Sequence, residues 1–312
     1  MMCAMSLQGR CVSLIRMNWI KGLGGIRLIR AVVAAMVAVF AVGADASEPA
    51  DSAVSRPADI SVMFNFGKNR SADTYLSQLW YEGKRMEIRT EFVRAAKFSP
   101  EKWIGRVEAA ISYDNIQNPS GNNTRHTLLA DVGYGLMRRL DAHPLPGLDF
   151  YAGGVAGFNG GVTYDPRNSN NVCSPQIYFN VGVTGMAVYS FKIGNLPVTA
   201  RYQPEIPVAG VFYLPDYDQS FFEMYLGNYK DAVNFGWWKN RFDMDNTVTV
   251  DLHIGTASLR LGYRNEFTTV WENNISVRHS VHSFVFGIAW EALRVNLRKG
   301  IPAKAKMVQA LY

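Results

Sequence analysis

Residues 174–195, SPQIYFNVGVTGMAVYSFKIGN, alternate by twos over an unusual length. Ile177, Phe179, Val181, Val183, Gly185, Ala187, Tyr189, Phe191 and Ile193 form one set, which is apolar for about seventeen residues. The other set, from Gln176 through Asn180 and Thr184 to Lys192, is polar or small over most of its length. Successive side chains of a strand point to opposite faces, so the segment reads as one long strand with a single apolar face. Soluble strands usually run about five to six residues. A barrel strand that crosses a bilayer runs about ten, with apolar residues outward and polar ones inward.

The same period recurs almost to the end of the chain. It predicts ten strands, over residues 74–82, 85–98, 102–116, 124–140, 148–164, 176–193, 196–206, 246–255, 258–270 and 277–291. Residues 60–67 could add pairing near the N-terminus. In 102–116, Trp103, Val107, Ala109, Ile111 and Tyr113 share one side, and Arg106, Glu108, Ser112 and Asp114 share the other. In 85–98, Met86, Ile88, Phe92 and Phe98 oppose Arg85, Glu87, Arg89 and Glu91. A two-residue turn at Gly194-Asn195 pairs Ile193 with Leu196 and brings apolar faces together. A turn at Thr256-Ala257 pairs His253 with Arg260. The connections near 193–196 and 255–258 are tight, whereas those near 117–123, 165–175, 207–245 and 271–276 are longer, as in outer-membrane barrels.

Residues 31–43, AVVAAMVAVFAVG, are an apolar run preceded by Arg27 and Arg30 and followed by Ala44-Asp45-Ala46. They predict a cleavable signal peptide over 1–46, with translation starting near Met17. Thirteen apolar residues are too few for a membrane helix. Cleavage removes five positive residues and one negative, so the net charge falls from +6 to +2 and leaves no nucleic-acid footprint. It also removes Cys3 and Cys11, leaving Cys173 without an intramolecular disulfide partner. The histidines show no metal-ligand spacing, and no Gly-rich loop opens a helix, so neither a metal nor a nucleotide cofactor is expected. Residues 47–73 read as a periplasmic linker or N-terminal segment, and 292–312 as a C-terminal tail.

Periodicity alone does not say whether the apolar face meets a core or lipid. An export signal, long strands, no helices to cover a sheet, and aromatic spacing all favour lipid. Trp103 and Tyr113 are ten residues apart on one face, about 23 Å along the membrane normal for a strand tilted ~45°. The hydrocarbon band is about 25 Å tall, with aromatic residues at both rims. The expected fold is an all-β, closed antiparallel transmembrane β-barrel of about ten strands, between eight and twelve, over residues 74–291.

LPVTARYQPEIPVAGVFYLPDYDQSFFEMYLGN (196–228) and SLRLGYRNEFTTVWENNISVRHSVHSFVFGIAWE (258–291) resemble an uncharacterised Bacteroidetes outer-membrane β-barrel family, domain of unknown function family 3316. The resemblance rests on stretches such as LRLGYRN and HSFVFG. It implies an outer-membrane location and transfers no functional residue.

Three constellations could carry function. The first is a luminal charge ladder of Arg201, Glu205, Asp251, His253, Arg260, Arg264 and Glu266, joined by Arg85, Glu87, Arg89 and Glu91. Asp251 is expected opposite Gly262, with Arg260 and Arg264 on its diagonals. Such charges form either a static plug or the lining of a narrow solute channel. The second is Ser280 with His282, two apart and on one face, a candidate nucleophile and base for lipid hydrolysis. No carboxylate is in place to orient that histidine. The third is the external loop 207–245, where Phe221, Phe222, Tyr225, Trp237 and Trp238 could grip a ligand or partner. Within it, DQSFFEMYLG (218–227) predicts a short helix with Asp218 as N-cap and Gly227 at its end. The expected function is a non-enzymatic barrel with a filled lumen. Its expected partners are outer-membrane lipid, the barrel-assembly and export machinery, and an unidentified external ligand or protein.

Overall fold

A computed structural model describes residues 54–142, 144–220, 222–223, 226–227, 231–292 and 306–311; the leader expected over 1–46 lies outside them. The strands are β1 (Val54–Ser55), β2 (Ala58–Asp73), β3 (Ser77–Ala95), β4 (Trp103–Gln117), β5 (Thr124–Leu140), β6 (Leu148–Tyr164), β7 (Cys173–Ile193), β8 (Leu196–Tyr213), β9 (Val233–Trp237), β10 (Arg241–Ile254), β11 (Ala257–Glu272), β12 (Ile275–Ala292) and β13 (Lys306–Met307). Hydrogen bonding runs β10-β11-β12-β2-β3-β4-β5-β6-β7-β8, and β8 pairs with β10. Ten antiparallel strands therefore close on themselves and leave no sheet edge along their shared length.

The outward residues of β7 are those of the apolar set: Phe179 is 58% exposed, and Ile177, Val181 and Val183 are exposed with it. Phe284 is 75% exposed, and Phe286 and Ile288 follow on β12. The inward faces hold Arg85, Glu87, Arg89, Glu91, Arg106 and Asp114, all buried. Apolar groups face out and charges face the axis, the reverse of a soluble barrel and the arrangement hydrocarbon requires. Glycine relieves crowding inside: a Cβ at Gly133 would lie 3.0 Å from Glu108 Oε1.

Ten is the expected number of strands, but the bounds of several differ. Residues 58–73 are not linker but a full strand pairing β12 with β3. Residues 74–82 and 85–98 are not two strands, because β3 runs unbroken from Ser77 to Ala95. Beyond the hydrocarbon both faces of a strand meet water, so Glu82 and Lys84 on its outward face interrupt the alternation there.

The chain termini of the barrel share one end with the Gly194-Asn195 and Gly255-Thr256 turns, hereafter the turn end. At the opposite, loop end, the 271–276 connection is tight rather than long. Asn273 (φ 51°) and Asn274 (φ 58°) form a two-residue hairpin of the left-handed type. The 207–245 loop is shorter than expected, because β8 continues to Tyr213 and β9 pairs with it, leaving 214–240 as the excursion. Pro207, which has no N–H to donate, sits at the register shift opposite Gly182.

Three layers fill the barrel. At the turn end Ala310 and Leu311 of the C-terminal tail pack with Val93, Ile104, Met137, Tyr151, Met186 and Val188. A charged belt occupies the middle. At the loop end Tyr75, Leu76 and Ile275 form an apolar cap against Tyr213, Leu214 and Val277.

Candidate functional site

The belt is organised by β3. Arg85, Glu87, Arg89 and Glu91 occur at alternate positions, so all four enter the lumen in one file. Glu87 accepts from Arg89 Nε (2.8 Å), Arg85 Nη2 (3.3 Å) and Arg264 Nη1 (2.5 Å). Glu91 accepts from Arg201 Nη1 (2.7 Å), Arg106 Nε (3.0 Å) and Arg260 Nη1 (3.2 Å). These two carboxylates tie β3 to β4, β8 and β11 across the axis. Arg260, which is 0% exposed, holds Asp251 through two 2.7 Å bonds and donates to Ser61 Oγ at 2.8 Å. Arg264 is bidentate to Asp245, and Arg106 reaches Glu205 at 3.1 Å and also binds Glu108. Arg85 adds Glu266 (3.1 Å) and Asp114 (3.3 Å).

Burying a charge alone costs several kcal/mol, and a buried pair offsets that only with good geometry and further hydrogen bonds. Here Arg85, Arg89, Arg106, Arg260 and Arg264 each meet two or more acceptors, while Arg201, among the described residues, meets Glu91 alone. The belt thus occupies the cross-section with locked side chains. Between belt and cap lies a chamber of about 240 Å³, bordered by Arg85, Asp131, Asn159, Tyr178, Asp243 and Glu266. Its cap is held by Tyr75, whose hydroxyl donates to Gln219 O (2.9 Å) and lies 3.0 Å from Asn171 Oδ1.

Arg201, Glu205, Asp251, Arg260, Arg264 and Glu266 therefore meet in one network. His253 lies at the turn end between Thr199 Oγ1 (2.8 Å) and Ser258 Oγ (2.7 Å). The expected pairings shift because the turn is Gly255-Thr256, with Gly255 supplying the positive φ of 66°. Asp251 consequently faces Arg260 rather than Gly262, and His253 faces Ser258 rather than Arg260. Sequence reasoning passed over Asp59, which lay in the supposed linker and stands 3.8 Å from Arg260 Nη2. It also passed over Asp245, one residue before the expected strand start. The inward period of β2 and β10 was the signal for both.

Ser280 and His282 share the outward face near the loop end, with Ser280 Oγ 3.4 Å from His282 Nε2. The other ring nitrogen meets Tyr263 OH (2.5 Å) and Asn265 Nδ2 (3.2 Å), not a carboxylate. In the external segment Phe222, Trp237 and Trp238 are exposed, whereas Phe221 and Tyr225 lie outside the described residues. Residues 222–223 are helical, and the residue that caps them is Ser220 rather than Asp218. Glu223 N bonds Ser220 Oγ (3.3 Å) and Ser220 N bonds Glu223 Oε2 (2.8 Å), a reciprocal box that an S-x-x-E spacing supports. Gly227, with φ 92°, follows this stretch.

A closed barrel with an apolar exterior, a polar interior and long strands defines an outer-membrane β-barrel protein, resident in the cell outer membrane. The chain belongs to the family described as Protein of unknown function (DUF3316), matched over residues 31–299. No curated protein matches it. It is similar to the transport unit of the autotransporter AIDA-I from Escherichia coli, at 8% identity over 79% of this chain and 92% of that one, with a TM-score of 0.40. The outer membrane protease OmpT from Escherichia coli gives 8% identity, 76% and 97% coverage, and 0.40. The outer membrane protein OprG from Pseudomonas aeruginosa gives 10%, 78% and 99%, and 0.28. The fold assignment rests on the strand pairing and not on these likenesses.

Proposed function

We propose that the protein is a non-conducting outer-membrane barrel, without enzymatic activity, that presents its loop-end segment 214–240 to an external ligand or protein partner. The filled lumen carries this reading. The belt of buried Arg–carboxylate pairs, the tail residues Ala310 and Leu311, and the Tyr75 cap lie in series along the axis. A channel needs a continuous polar path whose binding sites release what they hold, whereas these arginines are bound on several sides. Tyr217, Phe222, Leu226, Phe235 and Trp238 instead are large apolar or aromatic residues left exposed on the excursion, the residue types that anchor partners. A Bacteroidetes source belongs to the same proposal, resting on the 196–228 and 258–291 stretches.

Purified protein in planar bilayers tests the reading: silence under applied voltage supports it, and discrete current steps refute it. Phe222→Ala with Trp238→Ala should abolish partner crosslinking at the cell surface while the barrel still folds.

A second reading, lipid hydrolysis, is supported by the 3.4 Å Ser280–His282 contact on the lipid-facing side. When Asn265 donates to Nδ1 of His282, the ring proton sits on Nε2, which then cannot take the serine proton. Fatty-acid release from phospholipid by the wild type, lost in Ser280→Ala, would establish this reading in place of the first.

A further inference from the structure

Strands β12, β2 and β3 carry an unusual outward row near the loop end. Lys68 of β2 is the cross-strand partner of Lys84 of β3 and of His282 of β12. Both lysines are exposed on the lipid-facing side. One step toward the membrane centre the same face carries Phe284, Phe66 and Met86 in register, all exposed and apolar. The lysines therefore stand where the hydrocarbon surface ends. One step the other way, Arg70 pairs with Glu82 (3.0 Å) and stacks 4.5 Å over Trp80. Arg278 is exposed two residues beyond Ser280.

Like charges directly opposite each other destabilise a sheet. An ammonium pair beside hydrocarbon, with no ion pair to a carboxylate among the described residues, needs an anion from outside the chain. A groove of about 470 Å³ lies next to it, bordered by Trp80, Trp238, Lys239, Phe267, Trp271 and Arg278. Its lining holds three cations, Lys239, Arg241 and Arg278, with aromatic walls and no carboxylate, and of these Arg241 is already paired with Asp243 at 2.7 Å. Cations above an apolar surface match one chemistry: a phosphate at the head of an acyl chain.

We infer that this face is a binding site for the phosphorylated headgroup of an outer-leaflet lipid. One phosphate bridges Lys68 and Lys84, and Arg278 and Lys239 take a second negative group. The acyl chains lie along Phe66, Phe284 and Phe286. The site lies outside the lumen and shares Trp238 and Lys239 with the loop-end segment, whereas Lys68 and Lys84 belong to it alone.

The test uses the full chain in a neutral detergent, with diphosphorylated lipid A as probe and phosphatidylcholine and inorganic phosphate as comparisons. Binding is followed by native mass spectrometry. Each basic residue near an anionic headgroup contributes about fivefold, so Lys68→Gln with Lys84→Gln should weaken lipid A binding by roughly thirtyfold. Arg138→Gln, outward at the turn-end rim, should leave it unchanged. Equal affinity in the wild type and the double variant overturns the proposal. So does equal binding of phosphatidylcholine, or full displacement by inorganic phosphate, which would make the ligand a free anion. Thermal melting supplies a second readout. Without lipid, the double variant should melt no lower than the wild type, because a repulsion is gone. Added lipid A should raise the melting temperature of the wild type alone. Should the double variant not fold, Lys84→Met, apolar and suited to a lipid-facing position, takes its place in both measurements. Weakened lipid A binding with a smaller melting shift then supports the site, and wild-type behaviour in both overturns it.

Discussion

Glu91 Oε1 and Arg260 Nη1 meet at 3.2 Å across the lumen, although 169 residues separate them in the chain. Their contact joins β3 to β11, and Arg201 and Arg106 converge on the same carboxylate from β8 and β4. Glu91→Leu would leave three buried guanidinium groups short of their shared acceptor. Breaking a buried pair by removing one partner costs about 3–5 kcal/mol. Equilibrium unfolding in urea from lipid vesicles should show a loss in that range. Arg201→Met, which removes one donor and leaves Glu91 two others, should cost less.

Tyr75 closes the loop end, and burial pushes its phenol above the ordinary tyrosine value. The proton is held more tightly in the folded state, so the contribution of this group is complete below the ordinary value of about 10. It declines as the pH rises toward the raised folded value. Limited proteolysis of the 165–172 and 214–240 connections should therefore stay constant from neutral pH to about 9 and accelerate above about 10. Tyr75→Phe, which loses the hydroxyl's hydrogen bond, worth about 1 kcal/mol, should show the faster cleavage at neutral pH already.

Asn273 and Asn274 make the tightest loop-end turn, both with positive φ. Asparagine tolerates that region, whereas a β-branched residue does not. Asn273→Val should destabilise the β11–β12 hairpin by about 1–2 kcal/mol. Hydrogen exchange at Trp271 and Ser276, which pair across the turn, should rise ahead of exchange at Leu261 and Phe286.

The barrel was legible where strands cross hydrocarbon, because there one face meets lipid and the other the lumen. β7 shows this from Ile177 to Ile193, and β12 from Phe284 to Trp290. Where strands emerge the contrast disappears. Lys68 and Arg70 hid the end of β2, Glu82 and Lys84 split β3, and Pro207 hid the last turn of β8. The file Arg85-Glu87-Arg89-Glu91 announced a charged lumen by its period. Which arginine reaches which carboxylate was not legible, because Glu91 and Arg260 become neighbours only through closure of the barrel. A single residue of turn placement at Gly255-Thr256 also decides whether Asp251 faces Arg260.

Leu311 occupies the turn-end mouth, buried beside Val93, Met137 and Met186, and Tyr151 OH donates to Ala310 O at 3.3 Å. Burying one leucine side chain contributes about 1.5–3 kcal/mol. Leu311→Asp should therefore lower stability by at least that amount and expose the luminal methionines to oxidation. It should not produce conductance, because the belt around Glu91 and Arg260 lies farther along the axis and is held independently of the tail. Combining Leu311→Asp and Glu91→Leu with Tyr75→Ala opens the tail, belt and cap layers together. Current steps in the triple variant, with silence in each single variant, would locate the barriers in those three layers. Conductance from Leu311→Asp alone would instead place the whole resistance in the tail and show that the charged belt does not occlude the lumen.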